Sequence, residues 1–154
     1  MANVEIICSL CGEKSKSESA PASCPICSAS LEVPQKETVL KTTVCITSSS
    51  GAGVAAQKGT LFLTNQRIFW LRHSSKFHRG IIQGLLQKLF SVPKEMQFSY
   101  PLHEIAAIEI AQVGPFKSLK LTMTNGETIA LDIKAKHRQE WIDAVNDAKK
   151  RLAL

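Results

Sequence analysis

Apolar and polar residues alternate along much of the chain between residues 38 and 133, which is the pattern of half-buried β-strands. This alternation, together with a high content of Val, Ile, Thr and aromatic residues, predicts seven strands, at residues 38–47, 59–64, 67–72, 97–100, 105–113, 119–123 and 129–133. Hairpins are indicated at Asn65-Gln66, which has the length of a two-residue loop, and at Asn125-Gly126. The second is the stronger signal, and in the first Asn65 is the residue that can take the positive φ of such a turn.

The end of the chain changes to the helical period. Between about Lys136 and Leu152, the apolar residues Trp141, Val145, Ala148 and Leu152 recur at steps of four, three and four residues, which places them on one face of a helix. Strands followed by one amphipathic helix predict a mainly β (α+β) fold. We expect a small barrel or sandwich of about seven strands, with the helix packed over an opening.

Residues 1–34 hold few apolar side chains but four of the five cysteines. These four form two C-x2-C pairs with twelve residues between them, and two intervening residues allow a tight knuckle in which both sulfurs face one ion. Four thiolates that leave no open coordination position describe a structural zinc site, and metal binding would supply most of the folding free energy of so small a segment. The sequence therefore predicts a zinc ribbon over residues 1–34, with one structural Zn²⁺ bound by Cys8, Cys11, Cys24 and Cys27.

The same four cysteines could instead form a redox dithiol or two disulfides. A redox motif is expected at the start of a helix in a βαβ unit, which does not follow here. The start of the chain lacks the features of a secretory signal, so we expect a cytoplasmic location, where clustered cysteines are usually metal ligands. Gly12, where a positive φ is usually needed, and Pro25 both suit the tight turns of two knuckles. The fifth cysteine, Cys45, lies in an alternating strand and is predicted to be a buried core residue.

The net charge of +6 is concentrated in one part of the chain. Residues 1–34 hold four acids and two bases, and residues 95–154 hold eight of each, whereas residues 38–94 hold eight bases and no acid. A patch of one sign attracts anionic partners such as lipid headgroups, nucleic acid or acidic proteins, and the alternative is a solvated segment that only keeps the protein soluble. The candidate residues for binding an anion or lipid are Lys58, Arg67, Arg72, Lys76, Arg79, Lys88 and Lys94.

Residues 73–96 do not fit a tight connection between two strands. Basic and polar residues come first, and six apolar residues then recur at helical spacing: Ile81, Ile82, Leu85, Leu86, Leu89 and Phe90. The pattern predicts a short helix with a broad apolar face beside a cluster of positive charge. Such a helix can pack on the barrel as extra core, insert shallowly into a membrane surface, or form an exposed contact for self-association or for a partner.

Three segments resemble a known family. The run KGTLFLTNQRIFWLR at Lys58–Arg72 is similar to the signature hairpin of GRAM and related pleckstrin-homology-like (PH-like) domains, and YPLHEIAAIEI at Tyr100–Ile110 is similar to their next strand pair. NGETIALDIK and EWIDAV, within Asn125–Val145, resemble their last hairpin and closing helix. The resemblance implies a PH-like (GRAM-type) domain over residues 35–154, with the basic and apolar insertion at about 73–96. The first hairpin also resembles the GLUE domain of endosomal-sorting complexes, a PH-like fold that binds phosphoinositides and ubiquitin.

No arrangement of residues typical of catalysis is recognisable, because the four histidines are scattered along the sequence. We therefore expect no enzymatic activity and no small-molecule substrate. The leading prediction is a cytoplasmic adaptor, in part peripheral to the membrane, whose basic face docks on phosphoinositide-type lipid headgroups or on an acidic protein. One alternative is a GLUE-like module of membrane trafficking that binds ubiquitin or another protein. The other is a nucleic-acid-binding zinc ribbon, which is disfavoured because Phe62, Phe69 and Trp70 fit the strand pattern as core residues rather than as stacking platforms.

Overall fold

Nine strands, one α-helix and two short 3-10 helices (Leu102–Glu104 and Ala135–His137) make up the regular structure of the described residues. These residues are 4–17, 21–31, 37–47, 57–73 and 94–153 of this computed structural model. The strands are β1 (Val4–Ile7), β2 (Lys14–Ser17), β3 (Val39–Thr47), β4 (Gln57–Thr64), β5 (Arg67–His73), β6 (Lys94–Pro101), β7 (Ile105–Val113), β8 (Phe116–Met123) and β9 (Thr128–Asp132), and the helix is α1 (Arg138–Leu152). Within these ranges, no helix combines the length and the apolar character needed to cross a lipid bilayer.

Strands β3 to β9 form one seven-stranded antiparallel sheet in the order β6-β5-β4-β3-β9-β8-β7. Strand β3 lies in the middle and pairs with β4 along most of its length, from Val39 opposite Thr64 to Thr47 opposite Gln57. It pairs with β9 only near its end, through Ile46 with Asp132 and Thr47 with Leu131. The predicted fold class, seven strands followed by a closing helix, is confirmed.

The barrel core lies between the inner faces of these strands and α1. The fully buried side chains include Leu61, Leu63, Ile68, Trp70, Leu119, Leu121 and Leu131 from the sheet and Trp141 and Val145 from the helix. Cys45 is buried in the same core, as predicted. Gly59 is required beside Trp70, because a Cβ at this position would lie 2.4 Å from Cε2 of the Trp70 ring.

The two hairpin signals have different outcomes. The Asn125-Gly126 turn forms as predicted, with Gly126 at a φ of 87° and its amide donating to the carbonyl of Met123 at 3.0 Å. The expectation of a positive φ at Asn65 is wrong, because Ser28 is the only non-glycine residue with positive φ in the described part of the chain. The β4–β5 turn is instead closed by the Thr64 hydroxyl, which accepts hydrogen bonds from the amides of Gln66 and Arg67 at 3.1 and 3.0 Å.

The insertion between β5 and β6 is shorter in the structure than the sequence predicted. His73 is the last residue of β5 and Lys94 the first of β6, so both ends of the predicted segment 73–96 belong to strands. Its six helix-spaced apolar residues and Lys76, Arg79 and Lys88 lie outside the described residues. Because β3 and β5 end where β4 and β6 begin, the connections 48–56 and 74–93 both join strands at one end of the β3–β6 half of the sheet, called the loop end below.

Candidate metal centre and basic surface

Two turns near the N-terminus have the same backbone structure. In the first, the amide of Gly12 donates to the carbonyl of Cys8 at 2.8 Å, and in the second the amide of Ser28 donates to the carbonyl of Cys24 at 2.9 Å. Gly12 and Ser28 have φ angles of 72° and 58°, so the positive φ expected at Gly12 is confirmed and a serine repeats it in the second turn. These turns, residues 8–13 and 24–29, are called the knuckles below.

Each knuckle is closed by one more backbone hydrogen bond and held by a short β-structure. The amide of Cys8 donates to Glu13 at 3.0 Å, and the amide of Cys24 donates to Ala29 at 2.8 Å. The first knuckle connects the antiparallel strands β1 and β2. The second lies within a bridge between Ser23 and Ser30. Both C-x2-C pairs are therefore presented by the same local structure.

The four cysteine sulfurs of the knuckles converge on one point. All four Sγ atoms lie within 4.8 Å of one another, with 3.7 Å between Cys8 and Cys27 and 3.9 Å between Cys11 and Cys24. A tetrahedral ion with metal–sulfur bonds of about 2.3 Å has sulfur–sulfur edges of about 3.8 Å. A disulfide needs a sulfur–sulfur bond of about 2.05 Å. The geometry therefore fits one metal ion bound by four thiolates, and does not fit a pair of disulfides.

The electrostatics of the cluster also favour a bound cation. The hydrogen bond with the Cys27 thiol lowers the pKa of Cys11 to about 6, and the same contact raises the pKa of Cys27. Burial raises the pKa of Cys8. Without a cation the cluster therefore favours ionisation of Cys11 and disfavours that of Cys8 and Cys27, since further thiolates would repel one another at these distances. A metal ion lets all four ionise, so metal binding releases protons and acid favours release of the metal.

The knuckles pack on the outer face of strands β4 and β5. Their buried cysteines, with Leu10 and Ala29, form one apolar cluster with Phe62, Phe69 and Leu71 of the sheet. The rings of Phe62 and Phe69 stack at 4.9 Å between centroids and 4° between planes. Both aromatic residues were predicted to be core, and they are buried, but on the face that the knuckles cover rather than inside the barrel. The two knuckles thus complete their interior with side chains of the sheet.

Arg67, at the start of β5, joins the second knuckle to the sheet. Its guanidinium donates to the carbonyl of Cys27 at 2.6 Å, to both carboxylate oxygens of Glu37 at 2.7 and 3.2 Å, and to the hydroxyl of Ser99 at 3.1 Å. It also lies 4.7 Å above the Phe69 ring. The Arg67 and Glu37 side chains are only 15% and 10% exposed. The sequence placed Arg67 among the candidate anion-binding residues, but in the structure its charge is paired with Glu37 inside the protein.

Three other candidate anion-binding residues meet at the loop end. Lys58 opposes Ile46 near the start of β4 and is exposed, Arg72 is next to last in β5, and Lys94 begins β6 opposite His73. Strands β4, β5 and β6 are neighbours, so these three positions lie at the same end of the sheet. Lys94 opposes His73, and the half-buried Arg72 lies one residue further in, opposite Gly59 and Glu95. Arg67 lies at the opposite end of β5. The remaining candidates, Lys76, Arg79 and Lys88, lie outside the described residues.

The knuckle–sheet contact and the Arg67 network were not predicted from the sequence. Leu10 and Ile26 occupy the same position in the two C-x2-C pairs, and both lie in or against the apolar cluster. Their matched spacing is a sequence signal that the knuckles pack on an apolar surface. A second signal is the unbroken apolar runs of β4 and β5, which indicate strands that are buried on both faces.

Comparison with known proteins supports the fold alone. No protein-family model matches the sequence, and a search of curated proteins gives no significant match. Among solved structures, the N-terminal PH domain of human ARAP2 is 15% identical, covers 74% of this chain and 82% of its own, and gives a TM-score of 0.50. The C-terminal domain of a Leishmania infantum protein described as unknown is 20% identical, covers 73% and 84%, and gives a TM-score of 0.47. The sheet order, the closing helix and the likeness to the ARAP2 domain identify a PH-like fold with a four-cysteine cluster beside it.

Proposed function

We propose that this protein is a non-enzymatic, cytoplasmic docking module that binds anionic membrane surfaces through the loop end of its PH-like barrel. The observation that carries the proposal is the placement of Lys58, Arg72 and Lys94 at the adjacent ends of three neighbouring strands. They flank the 74–93 connection, whose residues include three further bases and no acid. The strand ends at this end of the sheet carry these three bases together with two acids, Glu95 opposite Arg72 and Asp132 opposite Ile46.

Charge alone can supply useful affinity at such an end. Each Lys or Arg near an anionic bilayer contributes about 1 kcal/mol, and the contribution decays over roughly 10 Å at 0.1 M salt. Several bases at one edge therefore add up, whereas the same charges spread over the surface would not all reach the headgroups together. Binding of this kind weakens steeply as salt is added.

We further propose that the metal is Zn²⁺ with a structural role. Four cysteines around one point leave no open position for a substrate or water, which is the ligand set of a closed zinc site. Elemental analysis of the purified protein should give one zinc per chain, and none in a variant with Cys11→Ser and Cys27→Ser. Iron in place of zinc, which gives strong visible absorbance in a four-thiolate site, would contradict this assignment.

Co-sedimentation with vesicles tests the docking proposal. The zinc-loaded protein is mixed with neutral vesicles, with vesicles containing phosphatidylserine, and with vesicles containing a phosphoinositide, at low and high salt. We expect binding to the anionic vesicles only, and loss of that binding in high salt. If the protein binds none of these vesicles, the membrane proposal is overturned in favour of a protein partner, and ubiquitin would be tested first.

Matched charge removals test the location of the surface. Lys58→Ala with Lys94→Ala removes two charges at the loop end. Lys150→Ala with Arg151→Ala removes two charges from the exposed last turn of α1, which lies by Leu40 and Asn65 at the opposite end. The first pair should weaken vesicle binding by about thirtyfold, since two contacts of about 1 kcal/mol each are lost, and the second pair should leave it nearly unchanged. Equal losses in both would show that only net charge matters.

A further inference from the structure

We propose that the four-cysteine metal centre controls the docking surface, so that loss of the metal weakens membrane binding while the barrel stays folded. This inference rests on the proposed docking function and adds a regulatory role for the knuckles. Its basis is that the knuckles press on the strands whose ends carry the loop-end bases.

The first contact lies next to those bases. Leu71 is fully buried in the knuckle cluster, and Met96 packs against that cluster from the neighbouring strand. Leu71 and Met96 oppose each other in the β5–β6 ladder, and the next pair toward the loop end is Arg72 with Glu95. The knuckles therefore cover the last apolar pair before the loop end.

The sheet is irregular at this same point. Trp70 opposes Phe98 but Leu71 opposes Met96, so Gln97 is an extra residue that bulges from β6. A bulge interrupts the ladder and re-aims the strand that follows it. The direction of the first residues of β6, including Lys94, therefore depends on how Leu71 and Met96 are held. The knuckle cluster is what holds them on the outer face.

The second contact fixes the other end of β5. Arg67 donates to the carbonyl of Cys27 at 2.6 Å and to Ser99 of β6 at 3.1 Å, so one side chain ties the metal-binding turn to both strands. The position of Cys27 depends on its metal bond, because the knuckles hold few apolar residues of their own. Metal loss would therefore weaken both contacts that the knuckles make with the outer face of β5 and β6, the one at Leu71 and Met96 and the one at Arg67. The inner core around Trp70 and Trp141 would remain.

The test compares zinc-loaded and zinc-free protein on the same anionic vesicles, with the chelator removed beforehand. We expect vesicle affinity to fall about tenfold without zinc, within the usual range of coupling between sites. Hydrogen exchange should speed up in residues 67–73 and 94–99 and change little in α1. Arg67→Lys keeps the charge but loses the forked contacts, and with zinc bound it should move both measurements in the same direction by a smaller amount. Lys150→Arg, on the exposed face of α1, is the control.

The outcomes separate this inference from the docking proposal. If the zinc-loaded protein binds no vesicle, the docking proposal fails and this inference fails with it. If the zinc-loaded and zinc-free proteins bind equally well, or if exchange in β5 and β6 is unchanged, the docking proposal stands and the metal has no control over it. If zinc removal also accelerates exchange throughout α1, the effect is global unfolding, which overturns a local control.

Discussion

The knuckles and the barrel both have buried interiors, but the two interiors differ in chemistry. The barrel buries large apolar side chains such as Trp70, Trp141 and Leu131 between a sheet and a helix. The knuckles bury four cysteines and little else of their own, and complete their interior with Phe62 and Phe69 from the sheet. The barrel can gain its stability from apolar burial, whereas the knuckles need a metal ion and the apolar side chains of the neighbouring sheet.

Strands β4 and β5 belong to both interiors. Leu61 and Leu63 point into the barrel, while Phe62 between them points to the knuckles. In β5, Ile68 and Trp70 face the barrel, and Phe69 and Leu71 face the knuckles. The two regions are therefore joined by a shared pair of strands rather than by a linker alone. Damage to each interior separately therefore tests how far the two regions depend on each other.

Removal of the metal should have the largest effect: it should unfold the knuckles and loosen the outer face of β5 and β6, while the barrel core stays folded. Structural zinc contributes about 10–16 kcal/mol of apparent binding free energy in zinc-finger peptides, so the knuckles are expected to unfold without it. A thiol reagent at pH 8 should then react with four cysteines. Cys45 should stay unreactive until denaturant is added, because burial raises its pKa to about 12 and shields it from the reagent. Reaction of all five thiols on chelation would show that the barrel itself depends on the metal.

The substitution Trp141→Ala in α1 should instead destabilise the barrel and leave the knuckles intact. Loss of this fully buried indole from the barrel core should lower the free energy of unfolding by about 3–5 kcal/mol. One equivalent of metal should still be bound, because Trp141 does not contribute to the knuckle cluster. Denaturant titration followed by circular dichroism gives the first quantity, and elemental analysis gives the second. A variant that also lost its metal would show that the two interiors fold as one unit.

Arg67→Met damages the joint between the two regions. The substitution keeps the volume of the side chain but leaves the Glu37 carboxylate without its main partner in a site where both side chains are mostly buried. Breaking such a pair costs about 3 kcal/mol. The double variant Arg67→Met with Glu37→Gln should recover part of this loss, because no unpaired charge remains. Lys150→Met, on the exposed helix surface, is the control. If Arg67→Met destabilises the protein no more than this control does, Arg67 does not stabilise the contact between the knuckles and the sheet.

Much of the sheet and of the metal centre could be predicted from the sequence. Alternation located all seven strands of the sheet, and the C-x2-C spacing identified the four cysteines that converge, because both patterns are local properties of the chain. The role of Arg67 could not be predicted, since its partners Glu37, Cys27 and Ser99 are distant in sequence and only the fold brings them together. By composition alone Arg67 and Lys58 are alike. One is internal and the other exposed because they lie at opposite ends of the β4–β5 hairpin.

The smallest expected effect compares the two knuckles with each other. Gly12 and Ser28 occupy the same position with φ angles of 72° and 58°, a region that costs an L-residue about 1–2 kcal/mol. A Cβ on Gly12 would meet no atom within 4 Å, so Gly12→Ala tests backbone conformation alone. It should destabilise the knuckle by about 1 kcal/mol and weaken zinc binding about fivefold.

Ser28→Gly should act in the opposite direction. It removes the strain of a serine at positive φ, although the more flexible unfolded chain offsets about 0.4–1 kcal/mol of that gain. We expect a net stabilisation of about 0.5 kcal/mol and zinc binding about twofold tighter, measured by competition with a coloured chelator. Opposite signs for the two substitutions would show that the knuckles share one conformational requirement that only the first satisfies without strain. Equal signs would mean that the Ser28 hydroxyl or its surroundings compensate for the backbone, and the two knuckles would then be alike in shape but not in energy.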